Sequence, residues 1–317
     1  MKTIATHGSN FHTDDLFAVA ALLMLYKDEK CRVIRTLDPD VLAKADIVVD
    51  IGRIYDPKRN LFDHHQGNGA GERENGIPYA AFGLVWKTFG KKIAGSQVVA
   101  DYVDKKLAAP LDAHDNGVDV SKPLFKGISQ YELVDYIGDE CDFEKGKPEE
   151  ERDLDEAFMR LVPLATRILT IQIERGKQRQ KTAKLEKKAY DKAKDKRIVI
   201  TDAFAPFSFE DFPDVLFYVY RDMRGNWSAK AVKLEPGSMA SRQLFPKAWR
   251  GKDPEELARL SGVADAIFCH SSGFLVVANS KEGAIALATN AVNSKSSASS
   301  KKPKGSPKKI SKELPKR

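Results

Sequence analysis

Residues 2–15 read KTIATHGSNFHTDD, a short β-branched run followed by two histidines and two aspartates. The run at residues 2–6 predicts a first β-strand. Apolar residues then recur at helical spacing, namely Leu16, Val19, Ala20, Leu23 and Met24. Two further β-branched runs follow at residues 31–36 and 46–51. This alternation predicts an α/β fold with a largely parallel sheet, whose ligand sites lie at the carboxyl ends of strands.

Histidines and aspartates cluster at these predicted strand ends. His7 and His12 follow the first strand, Asp50 ends the third, and FDHHQ at residues 62–66 and LDAHDNG at residues 111–117 come later. Imidazole and carboxylate ligands without a thiolate suit Mn²⁺, Mg²⁺, Fe²⁺ or a catalytic Zn²⁺ better than a structural zinc. The pattern therefore predicts a centre for one or two divalent metals.

Some of these residues also have simpler interpretations. Asp14 and Asp15 stand where a helix begins, so either can cap that helix. Asp50 taken alone could accept backbone hydrogen bonds. His114 could be a surface helix residue and His270 a core residue. The sequence leaves these alternatives open.

The length of 317 residues favours two domains. Three cysteines, far apart and in no CxxC pair, argue against a disulfide framework and indicate a reducing compartment. The apolar run at residues 18–26 is far short of the ~20 residues that a membrane span needs. The first predicted strand begins at Lys2, so we expect no cleavable targeting peptide and a soluble intracellular protein.

Positive charge is concentrated in two segments. Residues 175–197 contain 11 Lys and Arg against 3 acids, and residues 291–317 contain 9 against 1. Because the whole chain has a formal charge of +7, the residues outside these two segments must be acidic overall. Basic segments on an acidic body suit a polyanionic partner, although such runs are commonly just solvated.

Patterning along the chain predicts four regions. Residues 1–150 form the metal-binding domain, with a loop at 67–76 and helices at 79–89 and 95–115. Residues 151–197 form a helical connector that Pro163 should kink or restart. Residues 198–290 form a smaller α+β domain. Residues 291–317, rich in Ser, Lys and Pro, form a disordered basic tail.

The order of these motifs resembles that of the DHH phosphoesterase superfamily. The more specific likeness is to the Myg family, known in animals as melanocyte proliferating gene one. It runs from THGSNFHTDD through DIGRIYDPKRNLFDHHQ and LDAHDNG to WSAKAVKLEPGSMASRQLFPKAWRG and AIFCHSSGFLVVANSKEGAIALA. The likeness covers nearly the whole chain up to about Ala291 and implies a DHH-like first domain.

The superfamily pattern implies these metal ligands: His7, His12, Asp14, Asp50, His64 and Asp115. Asp50 would bridge two metals, and His65 would meet the substrate phosphate as a catalytic residue. Asp112 is the alternative to Asp115 and the second catalytic candidate. One departure is His12, where DHH enzymes usually have an aspartate, so the metal preference could differ.

In the second domain, the late motifs imply substrate contacts at Arg242, His270, Ser272 and Gly273. A histidine and glycine-rich segment of DHH exonucleases binds the terminal phosphate or nucleotide, and HSSGF is similar in kind. The fork of donors on Arg242 would suit a phosphate. Trp249 is better explained as a core aromatic residue.

The resemblance implies a metal-dependent 3′-to-5′ RNA exonuclease that releases nucleoside monophosphates, with two manganese ions, or magnesium, as cofactors. The alternatives are a hydrolase of small nucleotides or pyrophosphate-like compounds, and a non-catalytic, metal-dependent RNA-binding protein. The expected partner is single-stranded RNA. We expect the cytoplasm for a bacterial source, and the nucleus, with a mitochondrial pool, for a eukaryotic one.

Overall fold

A computed structural model describes residues 1–296 except residues 124, 203–205 and 236. The chain divides into two compact units, Met1–Gln180 and Lys181–Arg317. Each unit has its own hydrophobic core. No helix in the described part of the chain is long and apolar enough to cross a membrane.

The first unit contains a five-stranded sheet. Its strands are β1 (Lys2–Thr6), β2 (Cys31–Arg35), β3 (Ile47–Val49), β4 (Tyr55–Asp56) and β5 (Leu61–Phe62), in the order β2-β1-β3-β5-β4. All pairs are parallel except β4 with β5. All three residues of β3 are buried, as expected for a central strand of a parallel sheet. The predicted largely parallel sheet is confirmed.

Helices complete the first unit. They are α1 (Thr13–Leu25), α2 (Pro39–Leu42), α3 (Ala81–Ala94), α4 (Gln97–Val103), α5 (Ala109–Asp115), α6 (Leu133–Lys145) and α7 (Leu154–Lys192). A π-helical turn, Asp104–Ala108, joins α4 to α5. The first ten residues of α1 are all buried, because α1 lies between the sheet and other helices. This burial fixes the direction in which α1 leaves the carboxyl edge of the sheet.

The long helix α7 does not restart at Pro163, as the sequence allowed, but runs through it. Proline removes one backbone donor, which normally disfavours a helix interior. Here Leu161, Val162 and Ala165 are buried on either side of Pro163, and their packing holds the helix together. The division between the units falls within α7, inside the connector predicted at residues 151–197.

The second unit is a mixed sheet with helices. Its strands are β6 (Ile198–Ile200), β7 (Phe217–Arg221), β8 (Trp227–Ala231), β9 (Ala266–Cys269) and β10 (Leu275–Ala278), in the order β6-β7-β8-β10-β9. Only β6 and β7 pair in parallel. The helices α8 (Pro254–Ser261) and α9 (Lys281–Ser296) contribute to the core of this unit. The predicted α+β character is confirmed.

The predicted start of the tail at Ala291 is wrong. Helix α9 continues to Ser296 because Ala291 and Val292 are buried in the core of the second unit. The rest of the predicted tail, residues 297–317, lies outside the described residues.

Candidate metal centre

Three neighbouring parallel strands deliver the candidate ligands to one edge of the first sheet. His7 follows β1, Asp50 follows β3, and the Asp63-His64-His65 run follows β5. Their carboxyl ends lie side by side because β1, β3 and β5 pair in parallel. The first turn of α1 and the last turn of α5 contribute the remaining carboxylates.

Asp50 lies between two histidines. Its Oδ2 is 3.3 Å from Nε2 of His7, and its Oδ1 is 3.3 Å from Nε2 of His64. The same nitrogen of His7 is 3.2 Å from Oδ2 of Asp15, and that of His64 is 3.1 Å from Oδ2 of Asp115. Each histidine nitrogen thus faces at least two carboxylates, and Asp50 is common to both sets.

Three groups of side chains could each hold a metal ion, with ligand atoms within 4.8 Å of one another. They are His7 with His12 and Asp50, Asp50 with His64 and His65, and His12 with Asp14 and Asp115. Every predicted ligand belongs to at least one group, and Asp50 and His12 each belong to two. The structure therefore brings the predicted ligands together at one place.

The backbone at Asp50 adopts an uncommon conformation. Its φ of 56° lies in the left-handed region, which aspartate and asparagine tolerate better than most residues with a side chain. Its backbone N donates to the carbonyl of Phe62 on β5. The chain thus turns sharply where β3 ends, and Asp50 is only 4 % exposed.

The donor set fits a divalent cation. Among the described residues, buried atoms of the cluster lack a hydrogen bond, although buried polar atoms normally have a partner. These atoms are His7 Nε2, His64 Nε2, Asp14 Oδ1, Asp15 Oδ2 and Asp50 Oδ1. Imidazole nitrogens and carboxylate oxygens with no thiolate are the ligand types that Mn²⁺ and related cations accept.

In the protein without a cation, protons offset part of the negative charge. Burial lowers the pKa values of His7 and His64, but the facing carboxylates outweigh it and raise both to about 10. Burial, together with the charges of Asp50 and Asp115, raises the pKa of Asp14 well above its usual value. Burial opposes ionisation of Asp50, but His64 and His7 lower its pKa to about 2. The centre therefore attracts positive charge.

His65 differs from His64 in its exposure and its partner. The side chain of His65 is 52 % exposed, whereas that of His64 is 7 % exposed. Asp63 Oδ1 lies 2.7 Å from Nδ1 of His65 and accepts a hydrogen bond from its backbone N, while Oδ2 accepts from the backbone N of Arg53. Asp63 thus fixes the ring of His65 at the solvent-facing edge of the centre.

Asp112 and Asp115 have different surroundings. Asp115 faces His64, whereas Asp112 Oδ2 accepts from Nη2 of Arg73 at 2.8 Å and its Oδ1 from the backbone N of Gly83 at 3.0 Å. Burial raises the pKa of Asp112 to about 7, although Arg73 opposes the shift. Asp112, predicted as a catalytic candidate, therefore does not join the metal-binding groups, and Asp115 does.

The sequence left the role of Asp15 open and did not indicate that of Arg35. Asp15 both caps α1, by accepting from the backbone N of His12 at 3.0 Å, and faces His7. Arg35 was missed. Its guanidinium donates to the carbonyls of Ser9 and Asn10, in the loop between the two histidines. The available signal was a second arginine at the end of the strand CRVIR, directly after Val33 and Ile34.

The predicted contact residues of the second unit lie in two places. Arg242 donates to the carbonyls of Phe212, Val215 and Glu210, so most of its guanidinium is already bonded. The other three, His270, Ser272 and Gly273, form the turn between β9 and β10, where His270 Nδ1 accepts from the backbone N of Ser272. Trp249 is 5 % exposed and belongs to the core, as the sequence favoured.

The parallel sheet and the cluster at its carboxyl edge define an α/β protein with a candidate divalent-metal centre. A sequence model of the Uncharacterised protein family (UPF0160), named MYG1_exonuc, matches residues 3–292. The chain belongs to this MYG1 family.

Relatives match over nearly the whole chain. A MYG1 protein of Schizosaccharomyces pombe is 30 % identical over 92 % of this chain and 97 % of its own length. The MYG1 exonuclease of Homo sapiens is 26 % identical over 90 % of this chain and 84 % of its own. The crystal structure of RecJ in complex with Mn²⁺ from Thermus thermophilus is 12 % identical, covering 92 % of this chain and 52 % of that one. Its TM-score of 0.26 is too low to define a shared fold.

Proposed function

We propose that the chain is a divalent-metal-dependent phosphodiesterase that shortens single-stranded RNA from its 3′ end and releases nucleoside monophosphates. The observation that carries the proposal is the position of Asp50 between His7 and His64. A carboxylate common to two ligand sets suits a pair of cations, which is a common arrangement in nucleases. The exonuclease names of the human and Bos taurus relatives agree with this chemistry.

Manganese is the cation we propose, with magnesium as the alternative. Magnesium prefers oxygen ligands and retains several waters, whereas the groups here include imidazole nitrogens in every case. When bound, two such cations supply an activated water and neutralise charge on the phosphate. The residues that would hold them are His7, His12, Asp14, Asp50, His64 and Asp115.

Residues outside the ligand set would bind the substrate. His65, fixed by Asp63, is exposed enough to contact a non-bridging oxygen of the phosphate. The basic residues at 175–197 would contact the phosphates of the strand, whose charge dominates the affinity of such complexes. In the second unit, the turn at residues 270–273 is a better candidate for a phosphate contact than Arg242, whose donors are engaged.

The proposal is tested with single-stranded RNA labelled at its 5′ end, incubated with purified protein and either Mn²⁺ or a chelator. We expect a ladder that shortens from the 3′ end only with metal. Asp50→Asn protein purified in parallel controls for contaminating nucleases. Intact RNA combined with rapid hydrolysis of a dinucleotide would favour the small-substrate alternative. RNA retained with Mn²⁺ but never shortened would favour the non-catalytic one.

A further inference from the structure

A cavity of about 280 Å³ adjoins the metal-binding groups in the first unit. Three candidate ligands, His12, Asp14 and Asp115, form part of its wall. The rest of its wall has no role in the centre described above and consists of Phe11, Thr13, Leu111, His114, Val134 and Gly138.

The two parts of this wall differ in chemistry. One part carries acids and an imidazole, and the other is mostly apolar, with Leu111 and Val134 as its aliphatic side chains. A nucleotide is divided in the same way, into a charged phosphate and a planar base with its sugar. The volume is close to the lower end, about 300 Å³, of the range usual for small-molecule sites. The cavity is thus matched in size and polarity to one nucleotide.

His114 is a polar member of the wall outside the proposed ligand set. It is exposed, it is adjacent in sequence to the candidate ligand Asp115, and it lines the cavity. An imidazole at such a position can stack on a base or form a hydrogen bond with a sugar hydroxyl. The sequence had left His114 without a function.

A second, wider cavity of about 650 Å³ shares Leu111, His114 and Val134 with the first. Its wall also carries two lysines, Lys106 and Lys122, and three acids, Asp119, Glu132 and Asp135. It therefore offers further space beside His114. Space for a second unit suits a chain of nucleotides better than a compact phosphate compound.

We propose that the first cavity binds the nucleoside part of the nucleotide whose phosphate lies at the metal centre, with His114 as a substrate-contacting residue. The inference rests on the proposed function and adds the subsite that would distinguish a nucleotide from phosphate alone. The wider cavity takes the neighbouring nucleotide.

Gly138 allows the first cavity to be filled with little disturbance of the protein. It lies in α6, and a Cβ built there has no other atom within 4 Å. Glycine is also a poor helix former, so a side chain at this position favours α6. Gly138→Ala, Gly138→Leu and Gly138→Phe form a series of increasing size. Asp142→Leu is the matched control, because Asp142 lies on the same helix, is 72 % exposed and does not line the cavity.

The test compares adenosine 5′-monophosphate with inorganic phosphate as calorimetric ligands of the full chain in Mn²⁺. We expect the wild type to bind the nucleotide more tightly than phosphate. Gly138→Leu and Gly138→Phe should weaken nucleotide binding by about tenfold or more and leave phosphate binding within about twofold. His114→Ala should weaken nucleotide binding by about fivefold or more. Asp142→Leu should change neither.

Equal affinity for nucleotide and phosphate in the wild type would overturn the subsite, as would unchanged nucleotide binding in Gly138→Phe. If all Gly138 variants fail to fold, His114→Ala decides alone. The RNA assay keeps the two hypotheses apart. If the RNA stays intact but Gly138→Leu selectively loses nucleotide binding, the exonuclease hypothesis is rejected and the subsite is supported. If Gly138→Phe shortens RNA with the KM of the wild type, the subsite is rejected and the exonuclease hypothesis is supported.

Discussion

The Nε2 atom of His64 lies 3.1 Å from Oδ2 of Asp115 and so links the loop after β5 to the last turn of α5. The same nitrogen is 3.3 Å from Oδ1 of Asp50. A single imidazole proton can serve only one of these carboxylates at a time. The other receives no hydrogen bond from that nitrogen in a largely buried site, which makes a cation a natural occupant.

Asp50→Asn should abolish most metal-dependent hydrolysis. Asparagine tolerates the left-handed backbone at this position, so the fold should be kept while the shared carboxylate is lost. We expect activity to fall at least about 100-fold, since even residues that only support metal ligands contribute about 10–100-fold. Steady-state hydrolysis with Mn²⁺ measures this.

Asp46→Asn is the matched control for that substitution. Asp46 directly precedes β3, and its side chain accepts a hydrogen bond from the backbone N of Thr3 outside the centre. Its replacement should leave activity unchanged. Full activity in the Asp50 variant would remove Asp50 from the centre.

Asp115 and Asp112 should respond differently to removal. Asp115→Asn should weaken Mn²⁺ binding with little change in thermal stability, because Asp115 faces His64 near the surface of the centre. Asp112→Ala should destabilise the protein, because it removes one of the two carboxylates that pair with the largely buried Arg73 and leaves Asp104. We expect a loss toward the lower end of the ~3–5 kcal/mol typical of breaking a buried pair. Urea denaturation and Mn²⁺ titration of both variants distinguish these roles, and the reverse pattern would make Asp112 the ligand.

Mn²⁺ affinity should rise with pH. The facing carboxylates raise the pKa values of His7 and His64 to about 10 in the metal-free protein, so both are protonated at neutral pH. A cation must displace these protons, and its apparent affinity therefore increases as the pH rises toward 10. Calorimetry in buffers of different ionisation enthalpy should detect proton release on binding. Binding without proton release would contradict the ion pairs of His7 and His64.

Arg35→Met should reduce both stability and metal affinity. The side chain of Arg35 is 2 % exposed and donates to the carbonyls of Ser9, Asn10 and Leu154. Methionine fills similar space but leaves these carbonyls without their donor, at about 1–3 kcal/mol for each that stays buried. Because Ser9 and Asn10 lie between His7 and His12, the ligands should also lose their positions.

Thermal denaturation and Mn²⁺ titration of Arg35→Met and Arg35→Lys test this effect. Partial rescue by lysine in both measurements is expected, since lysine retains some of the donors. If Arg35→Met is destabilised but binds Mn²⁺ with wild-type affinity, Arg35 contributes to stability and does not position the ligands.

The sequence predicted that His7 and Asp50 lie close together because each follows a short β-branched run. Parallel pairing of β1, β3 and β5 brings His7, Asp50 and His64 to one edge. The choice between Asp112 and Asp115 could not be made in this way. It depends on the rotation of α5, and hence on the π-helical turn before it, which has no clear sequence signal.

Packing between distant segments explains the other differences. Ala291 and Val292 begin a polar, lysine-rich stretch, and only their burial in the second core extends α9 to Ser296. Pro163 stays helical for a similar reason, since its neighbours are buried. Arg35 reaches the loop after β1 through contacts that its own sequence surroundings do not indicate.

The π-helical turn at Asp104–Ala108 also affects how freely this segment can change in length. Asp104 and Asp112 both bind Arg73, although residues eight apart in a regular α-helix point about 80° away from each other. Because a π-helical turn contains more residues than an α-helical turn, it accommodates one extra residue and places Asp104 and Asp112 on the same side of the helix. If the exposed Lys105 were deleted, Asp104 and Asp112 would be seven residues apart. In a regular α-helix, that spacing places their side chains about 20° apart. Deletion of one residue here would therefore leave both aspartates on the side of Arg73.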